Sequence, residues 1–302
     1  SLFVFPNAKP KIIRQWLDLV EWLLTLYPDV SESLHVSYRL VDGLLPSVEI
    51  LSSVTNSPLS FFSSSSFSVD TVPTHETVTT RTKAWVKRVL VNMGICPFTK
   101  STTMSGQGLA DVGVPVGSIA YHTSNASPSF HGMCHLQADI WTAIDEMLQA
   151  GPEGTKGVSS ILLAAPAFDN DFSLWSGPVF ALLETGVLVA EAAAVIGVVC
   201  FHPQYQTPDG SSFPGFGHMH SVPRLQKWMN EYNESNNLTE SQVAAGGAWQ
   251  RRTPHSTINV LRADQLAKAE GKRSSPKLYA ENILKLLQDP ELAEALEHER
   301  NL

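Results

Sequence analysis

A histidine follows a run of β-branched and small apolar residues within residues 195–205. The run is typical of a buried strand, and Pro203 cannot donate a ladder hydrogen bond, so we expect strand pairing to stop at His202. A histidine there is fixed by the sheet behind it and can act as a general base or a metal ligand. The alternative is that His202 hydrogen-bonds a loop carbonyl and positions the segment that follows.

Three arginines near the C-terminal third of the chain are candidates for an anion site: Arg251, Arg252 and Arg262. The guanidinium group binds carboxylate or phosphate with two parallel hydrogen bonds. The pattern also predicts a helix from about Pro254, whose first amide groups would point toward the same anion. The alternative is that these arginines are ion-paired to nearby carboxylates at a solvated helix start.

Cys96 is a second candidate catalytic residue, and it follows the predicted end of a helix. The negative end of the helix dipole disfavours a thiolate there, and Lys100 would offset this only in part. A buried structural cysteine is the alternative. No second cysteine follows within three residues, so the segment does not match a thioredoxin-like redox site.

Two histidine-containing segments, residues 131–135 and 218–220, suggest zinc because imidazole and thiolate are its usual ligands. Neither spacing matches a structural zinc pattern, so we predict no metal ligands, and no cofactor follows from the sequence. A hydrolase triad has no motif support either, because no Gly-x-Ser-x-Gly elbow is present.

The composition is that of an ordinary soluble globular protein, with 43% hydrophobic and 17% charged residues. The net charge of −8 argues against binding to nucleic acid or to acidic membrane surfaces. Three widely spaced cysteines indicate a reducing intracellular compartment. Residues 179–201 are apolar, but Glu184 and Glu191 would be costly within a bilayer, so we expect no membrane span.

Helix and strand patterns alternate along the chain, which predicts an α/β fold, or an α+β fold, with helices packed on a small sheet. Residues 1–72 form a predicted N-terminal extension, helical over about 10–27, with a strand at 35–41 and a Ser-rich linker at 51–69. The core domain spans 73–290 with an insertion at about 207–248, and 291–302 form a tail. Predicted core strands are 118–123, 160–166 and 195–202, and predicted helices begin near 74, 131, 223 and 276.

Several of these segments resemble the motifs of one family. The family has an opening "W…LCPF" segment, then "SFHPDYQF", "NRSPYPTLHLLR" and a closing "ERNI". The corresponding segments here are RTKAW at 81–85 with CPF at 96–98, FHPQY at 201–205, RTPH to LR at 252–262, and ENI at 281–283. The chain is therefore similar to domain-of-unknown-function family 1415, found in bacteria and photosynthetic eukaryotes. The resemblance covers about residues 75–290.

The resemblance implies no activity, because none is established for the family. It also departs from the family motifs, since Asn259 stands where the family has a histidine and Arg251 where it has an asparagine. The occurrence of the family in photosynthetic eukaryotes implies the chloroplast stroma as a compartment beside the cytoplasm.

The sequence thus predicts a rim site built mainly from His202, Tyr205, Arg252 and Arg262. Candidate additions are Arg251, Cys96 and Asn282. The ligand expected there is a small anion. The alternative function is a non-catalytic subunit of a larger complex, in which residues 1–70 and 207–248 bind partner proteins through their aromatic side chains.

Overall fold

In the computed structural model, the described residues are 2–4, 11, 14, 17, 18, 34–41, 47–54, 72–210, 219–232, 238–272 and 275–302. The predicted helix over 10–27 and the linker beyond residue 54 fall almost entirely outside them. The N-terminal part contains strands β1 (Leu2–Val4), β2 (Leu34–Val41) and β3 (Ser47–Val54), paired antiparallel in the order β1-β3-β2. The strand predicted at 35–41 is confirmed. The linker prediction is wrong for 51–54, which form the end of β3 and pair with β2.

The main sheet contains β4 (Met104–Ser105), β5 (Gly117–Thr123), β6 (Gly154–Ala164), β7 (Ile196–Phe201) and β8 (Thr257–Arg262). Their spatial order is β4-β5-β6-β8-β7. Strand β5 runs parallel to β6, while β8 is antiparallel to both β6 and β7. Therefore β5, β6 and β7 all point the same way, and helices cover the sheet. The predicted α/β class is confirmed.

One prediction for this region is wrong. Residues from Pro254 onward were expected to begin a helix, but Thr257–Arg262 form strand β8 in the middle of the sheet. The apolar residues Ile258 and Val260 face one side and Leu261 the other, and all three are buried. A short run that is buried on both faces shows no clear alternation, so its pattern does not separate strand from helix.

Helices cover both faces of the sheet. The first is α1 (His75–Trp85), which continues as a π-helical segment, Val86–Asn92. Next come α2 (Phe130–Ala150) and α3 (Phe172–Val189), and α3 contains a π-helical stretch, Trp175–Ala181. Proline has no N–H to donate, so Pro178 interrupts the regular ladder in that stretch.

The remaining helices are α4 (Val222–Tyr232), α5 (Glu240–Trp249), α6 (Ala263–Lys272), α7 (Ser275–Leu287) and α8 (Leu292–Arg300). The sequence pattern did not predict α5, which lies largely within the insertion expected at about 207–248. Its start is a capping box, in which Thr239 and Gln242 satisfy each other's backbone amides. The glycines at 246 and 247 hid the helix in the sequence pattern.

Two hydrophobic clusters fill the space on either side of the sheet. On one face, α2 and α3 pack on β6, β7 and β8 through residues such as Ile140, Phe180 and Val260. On the other face, α1 and α8 pack through Trp85 and Leu296. A charged pair joins these two helices, because Arg88 donates to both carboxylate oxygens of Glu299 at 2.7 and 2.9 Å.

Candidate functional site

The carboxyl ends of three strands meet at one edge of the sheet. Thr123 of β5 is paired with Ala164 of β6, and Thr257 of β8 is paired with both Ala164 and Phe201 of β7. Residues that follow β5, β6 and β7 therefore lie beside residues that precede β8. In open α/β sheets this carboxyl edge is where ligands usually bind.

His202 follows β7 at this edge and is fully buried. The backbone N–H of Gln204 donates to Nδ1 at 2.9 Å, so the ring proton must be on Nε2, which donates to the carbonyl oxygen of Phe168 at 3.0 Å. Burial lowers the pKa of His202, and both ring nitrogens are occupied by backbone groups. This geometry matches the alternative interpretation of His202, a residue that positions a loop.

The loop that His202 holds carries Asp169, a buried carboxylate. Its Oδ1 accepts hydrogen bonds from the backbone N–H of Ser256 at 2.6 Å and from the Ser256 hydroxyl at 2.9 Å. Its Oδ2 lies 2.7 Å from Nδ1 of His255. Asp169 therefore joins the turn after β6 to the segment before β8.

His255 is the second buried histidine of the edge, 3% exposed. Its carbonyl oxygen accepts hydrogen bonds from the hydroxyls of Thr253 and Thr257, both at 2.7 Å. Its Nε2 lies 3.4 Å from a terminal guanidinium nitrogen of Arg81. Because arginine only donates, Nε2 is an acceptor, and the ring proton is on Nδ1 facing Asp169.

Arg81 reaches this site from α1. The first turn of α1 is anchored at the same edge by His75, whose Nδ1 lies 3.0 Å from the Thr123 hydroxyl. Arg81 then falls between the buried residues Val78 and Trp85 along the inward side of the helix. Three groups thus form a chain, Asp169 to His255 to Arg81, with a neutral imidazole in the middle.

Two of the predicted site residues lie beside His202. The backbone N–H of Tyr205 donates to the His202 carbonyl oxygen, and the buried Tyr205 ring packs on Phe172, which also contacts the His202 ring. Arg252 donates from Nε to the Tyr205 carbonyl oxygen at 3.3 Å, and its guanidinium lies over the Trp249 ring at 4.5 Å. Burial lowers the pKa of Arg252.

Arg262 does not join them. It is paired with Ile196 at the start of β7, whereas His202 follows the end of that strand. The two lie at opposite edges of the sheet, about 17 Å apart along β8. Arg262 donates from Nε to the Val158 carbonyl oxygen at 3.0 Å and from its terminal nitrogen to that of Met147 near the end of α2. The geometry gives it a structural role.

The other predicted residues also make internal contacts. Arg251 is buried, bonds the Tyr279 hydroxyl and lies over the Phe201 ring at 5.3 Å. Asn282 donates to the Ile95 carbonyl oxygen at 3.0 Å. Cys96 packs against the buried cluster of Phe98, Leu109 and Val114, and its thiol lies 3.6 Å from the Thr99 hydroxyl.

A separate cleft of about 450 Å³ lies on the α2 side of β5. Its lining includes His122 and Leu163 from the strands and Asp139 and Glu146 from the helix. Over the described ranges, no group of three or more His, Cys, Asp or Glu side chains could hold a metal ion. The predicted zinc segment at 218–220 lies partly outside those ranges.

One helix in the described part of the chain, Phe172–Val189, is long and apolar enough to cross a membrane. Half of it is buried in the fold, where Trp175, Phe180 and Leu183 pack against the sheet. Buried core helices of soluble proteins can be equally long and apolar, so the length and composition of this helix are weak evidence for a membrane span.

The sequence prediction missed Arg81, Asp169 and His255 as a group. The local sequence pointed to Asp169 and to His255 separately. Asp169 lies in an acidic and aromatic turn after the Pro-terminated strand β6, and His255 lies in a motif shared with the resembled family. Their contact with one another could not be predicted from local patterns, because Arg81 and His255 are 174 residues apart in the sequence.

The comparison with family models confirms the resemblance. Residues 77–214 match the model described as "Protein of unknown function (DUF1415)". The matched segment contains Arg81, Asp169 and His202 and ends before His255. No curated protein and no solved structure matches the chain.

Proposed function

We propose that this protein, whose residues 77–214 match the DUF1415 family model, binds a small oxyanion at the carboxyl edge of its sheet. Arg81 supplies the positive charge, and His255, held by Asp169, supplies a second polar contact. The proposal keeps the predicted ligand class and replaces most of the predicted residues.

The unneutralised charge of Arg81 carries the proposal. Within the described residues, no carboxylate lies within 4.0 Å of its guanidinium, and its hydrogen-bond partner is the neutral Nε2 of His255. Its Nε is buried and has no hydrogen-bond partner there. A partly buried guanidinium with an unused donor is costly, and an anion would satisfy both the charge and the donor.

The surroundings of His255 support a binding role for it. Asp169 bonds its ring, and the hydroxyls of Thr253 and Thr257 donate to its carbonyl oxygen. Ser256 in turn holds Asp169 through its backbone N–H. These hydrogen bonds hold Nε2 toward Arg81 before any ligand arrives. Ligand binding therefore loses little affinity to the entropic cost of ordering the His255 side chain.

Arg252 provides a second guanidinium at the same edge. It lies three residues before His255, it stacks on Trp249, and no described carboxylate pairs with it. Stacking leaves the edge of the guanidinium plane available for an oxyanion.

Titration calorimetry with sulfate tests the proposal. We expect the wild-type protein to bind sulfate, and Arg81→Gln to weaken binding about 10- to 100-fold, the range of a charge-assisted hydrogen bond. Lys87→Gln is the matched control, because it removes one positive charge from an exposed position on the same helical segment. Absence of sulfate binding, or equal weakening by both substitutions, would contradict the proposal.

The alternative, an accessory subunit of a complex, stays a prediction. The aromatic residues on which it depends all lie outside the described residues: Trp16, Trp22, Phe61, Phe62, Phe213 and Phe216. The chloroplast stroma and the cytoplasm also remain expectations from the sequence and the family resemblance.

A further inference from the structure

We propose that this site takes up a proton together with its anion, so that binding of an oxyanion to Arg81 is coupled to protonation of His255 at Nε2. The inference rests on the proposed function and adds a pH-dependent control to the same site.

Without a ligand, both ring nitrogens of His255 already have partners. Arg81 donates to Nε2 and occupies the lone pair that a proton would take. Nδ1 already carries the ring proton and donates it to Asp169 at 2.7 Å.

An anion on Arg81 changes this arrangement. Its oxygen replaces Nε2 as the acceptor of the guanidinium N–H, and its charge neutralises that of Arg81. The free Nε2 lone pair would then face the lone pairs of the anion, which is repulsive. Taking one proton from solvent forms an N–H bond at Nε2 that donates to the anion, and the resulting imidazolium is stabilised by the Asp169 carboxylate.

Other charged groups at this edge act in opposite directions. Asp171, in the turn after β6, and Arg300, at the end of α8, act on the neighbouring His202 with opposite sign, and burial lowers the pKa of His202 further. Two further residues that can carry positive charge lie at this edge, Arg252 in the segment before β8 and His75 at the start of α1. The contacts closest to the His255 ring nitrogens remain Asp169 on one side and Arg81 on the other.

Sulfate is the appropriate probe, because it does not titrate near neutral pH and any proton taken up belongs to the protein. Calorimetric titrations at about pH 7, in buffers that differ in ionisation enthalpy and carry no oxyanion, give the number of protons bound with sulfate. We expect a net uptake of up to about one proton, and an affinity that falls as pH rises, by up to about tenfold per pH unit.

Two substitutions assign the proton. His255→Gln should retain weakened sulfate binding and lose the uptake, while the exposed control His298→Gln should keep both. If His255→Gln fails to fold, the wild-type protein still decides the question by nitrogen NMR of its ten histidines. Sulfate should then convert one unprotonated Nε2 resonance to a protonated one.

The outcomes separate the two proposals. No sulfate binding overturns the proposed function and the coupling with it. Binding without proton uptake overturns the coupling alone. Uptake that persists in His255→Gln overturns the assignment to His255.

Discussion

His202 and His255 are held by adjacent residues of one turn. Nε2 of His202 donates to the carbonyl oxygen of Phe168, and Nδ1 of His255 donates to the carboxylate of the next residue, Asp169. The first histidine therefore fixes the backbone whose side chain orients the second. This relationship gives His202 a positioning role, while the proposed ligand contact belongs to His255.

His202→Phe tests that role. It leaves the Phe168 carbonyl and the Gln204 amide buried without partners, so we expect a loss of about 2–5 kcal/mol in the free energy of unfolding. Urea denaturation measures it, with His298→Phe as an exposed control. A loss below about 0.5 kcal/mol would mean that the hydrogen bonds contribute little.

The pH dependence of stability provides a second test of His202. Because burial lowers its folded-state pKa below the unfolded value, the unfolded chain takes up the proton first as pH falls. Its contribution to stability is therefore present above the unfolded pKa and is lost toward acid. Replacing His202 by Gln should flatten the acid side of the stability profile below about pH 6.5, measured by urea denaturation across pH. An unchanged profile would contradict this.

For Glu184 we expect the free energy of unfolding to change with pH in the opposite direction. It lies on α3, its Oε2 is buried with no hydrogen-bond partner among the described residues, and burial raises its pKa from 4.5 to about 8. The folded protein holds this proton where the unfolded chain has released it, so stability falls as pH rises from about 4.5 to about 8.

The slope from one such group is at most about 1.4 kcal/mol per pH unit. Glu184→Gln should remove that slope, while Glu191→Gln, at an exposed position after the same helix, should retain it. Thermal unfolding monitored between about pH 5 and pH 9 distinguishes them. Equal profiles for both variants would mean that Glu184 is ionised in the folded state.

The substitution Arg262→Met tests whether Arg262 stabilises the fold or binds the anion. The substitution removes the bonds to the carbonyl oxygens of Val158 and Met147 and leaves both acceptors unpaired, so we expect about 2–4 kcal/mol lower stability. Sulfate affinity should be unchanged, in contrast to Arg81→Gln. A tenfold loss of sulfate affinity in a folded Arg262→Met protein would restore the original prediction for this residue.

Gly246→Ala tests the packing of α5 on α7. A Cβ at this position would lie 2.7 Å from a side-chain carbon of Ile283 and 3.3 Å from its backbone oxygen. We expect about 1–3 kcal/mol of destabilisation, because α7 would have to shift. Ile283→Ala removes the side-chain carbon that would clash, so in a double-mutant cycle the combined variant should lose less stability than the sum of the two single variants. Additive losses would argue against a local clash.

The fold was largely predictable where one local rule decided the structure. Thr74 caps α1 as expected, its side chain accepting from the Thr77 amide, and β7 ends before the His-Pro pair. Prediction failed at β8, whose residues are buried on both faces and so lose the alternation that marks a strand. It also failed at α5, where paired glycines obscured a helix.

The position of His202 was predictable from its local sequence, and the residues around it were not. A histidine after a proline-terminated strand lies at the carboxyl edge, because strand direction alone fixes that position. The pairing of Asp169 with His255 spans 86 residues and depends on β8 lying next to β6. Nothing in either local segment specifies that neighbour, so the contact follows only from the assembled sheet.

The position of β8 also has a consequence for biosynthesis. Among the described strands, β7 pairs with β8 alone, and β8 follows β7 by about 55 residues in the chain. We expect that, until β8 is synthesised, β7 and one edge of β6 lack this partner, and unpaired apolar edges of this kind favour aggregation. The last strand to emerge closes this gap and, in the same event, delivers His255 to Asp169. Completion of the sheet and assembly of the site are therefore one step.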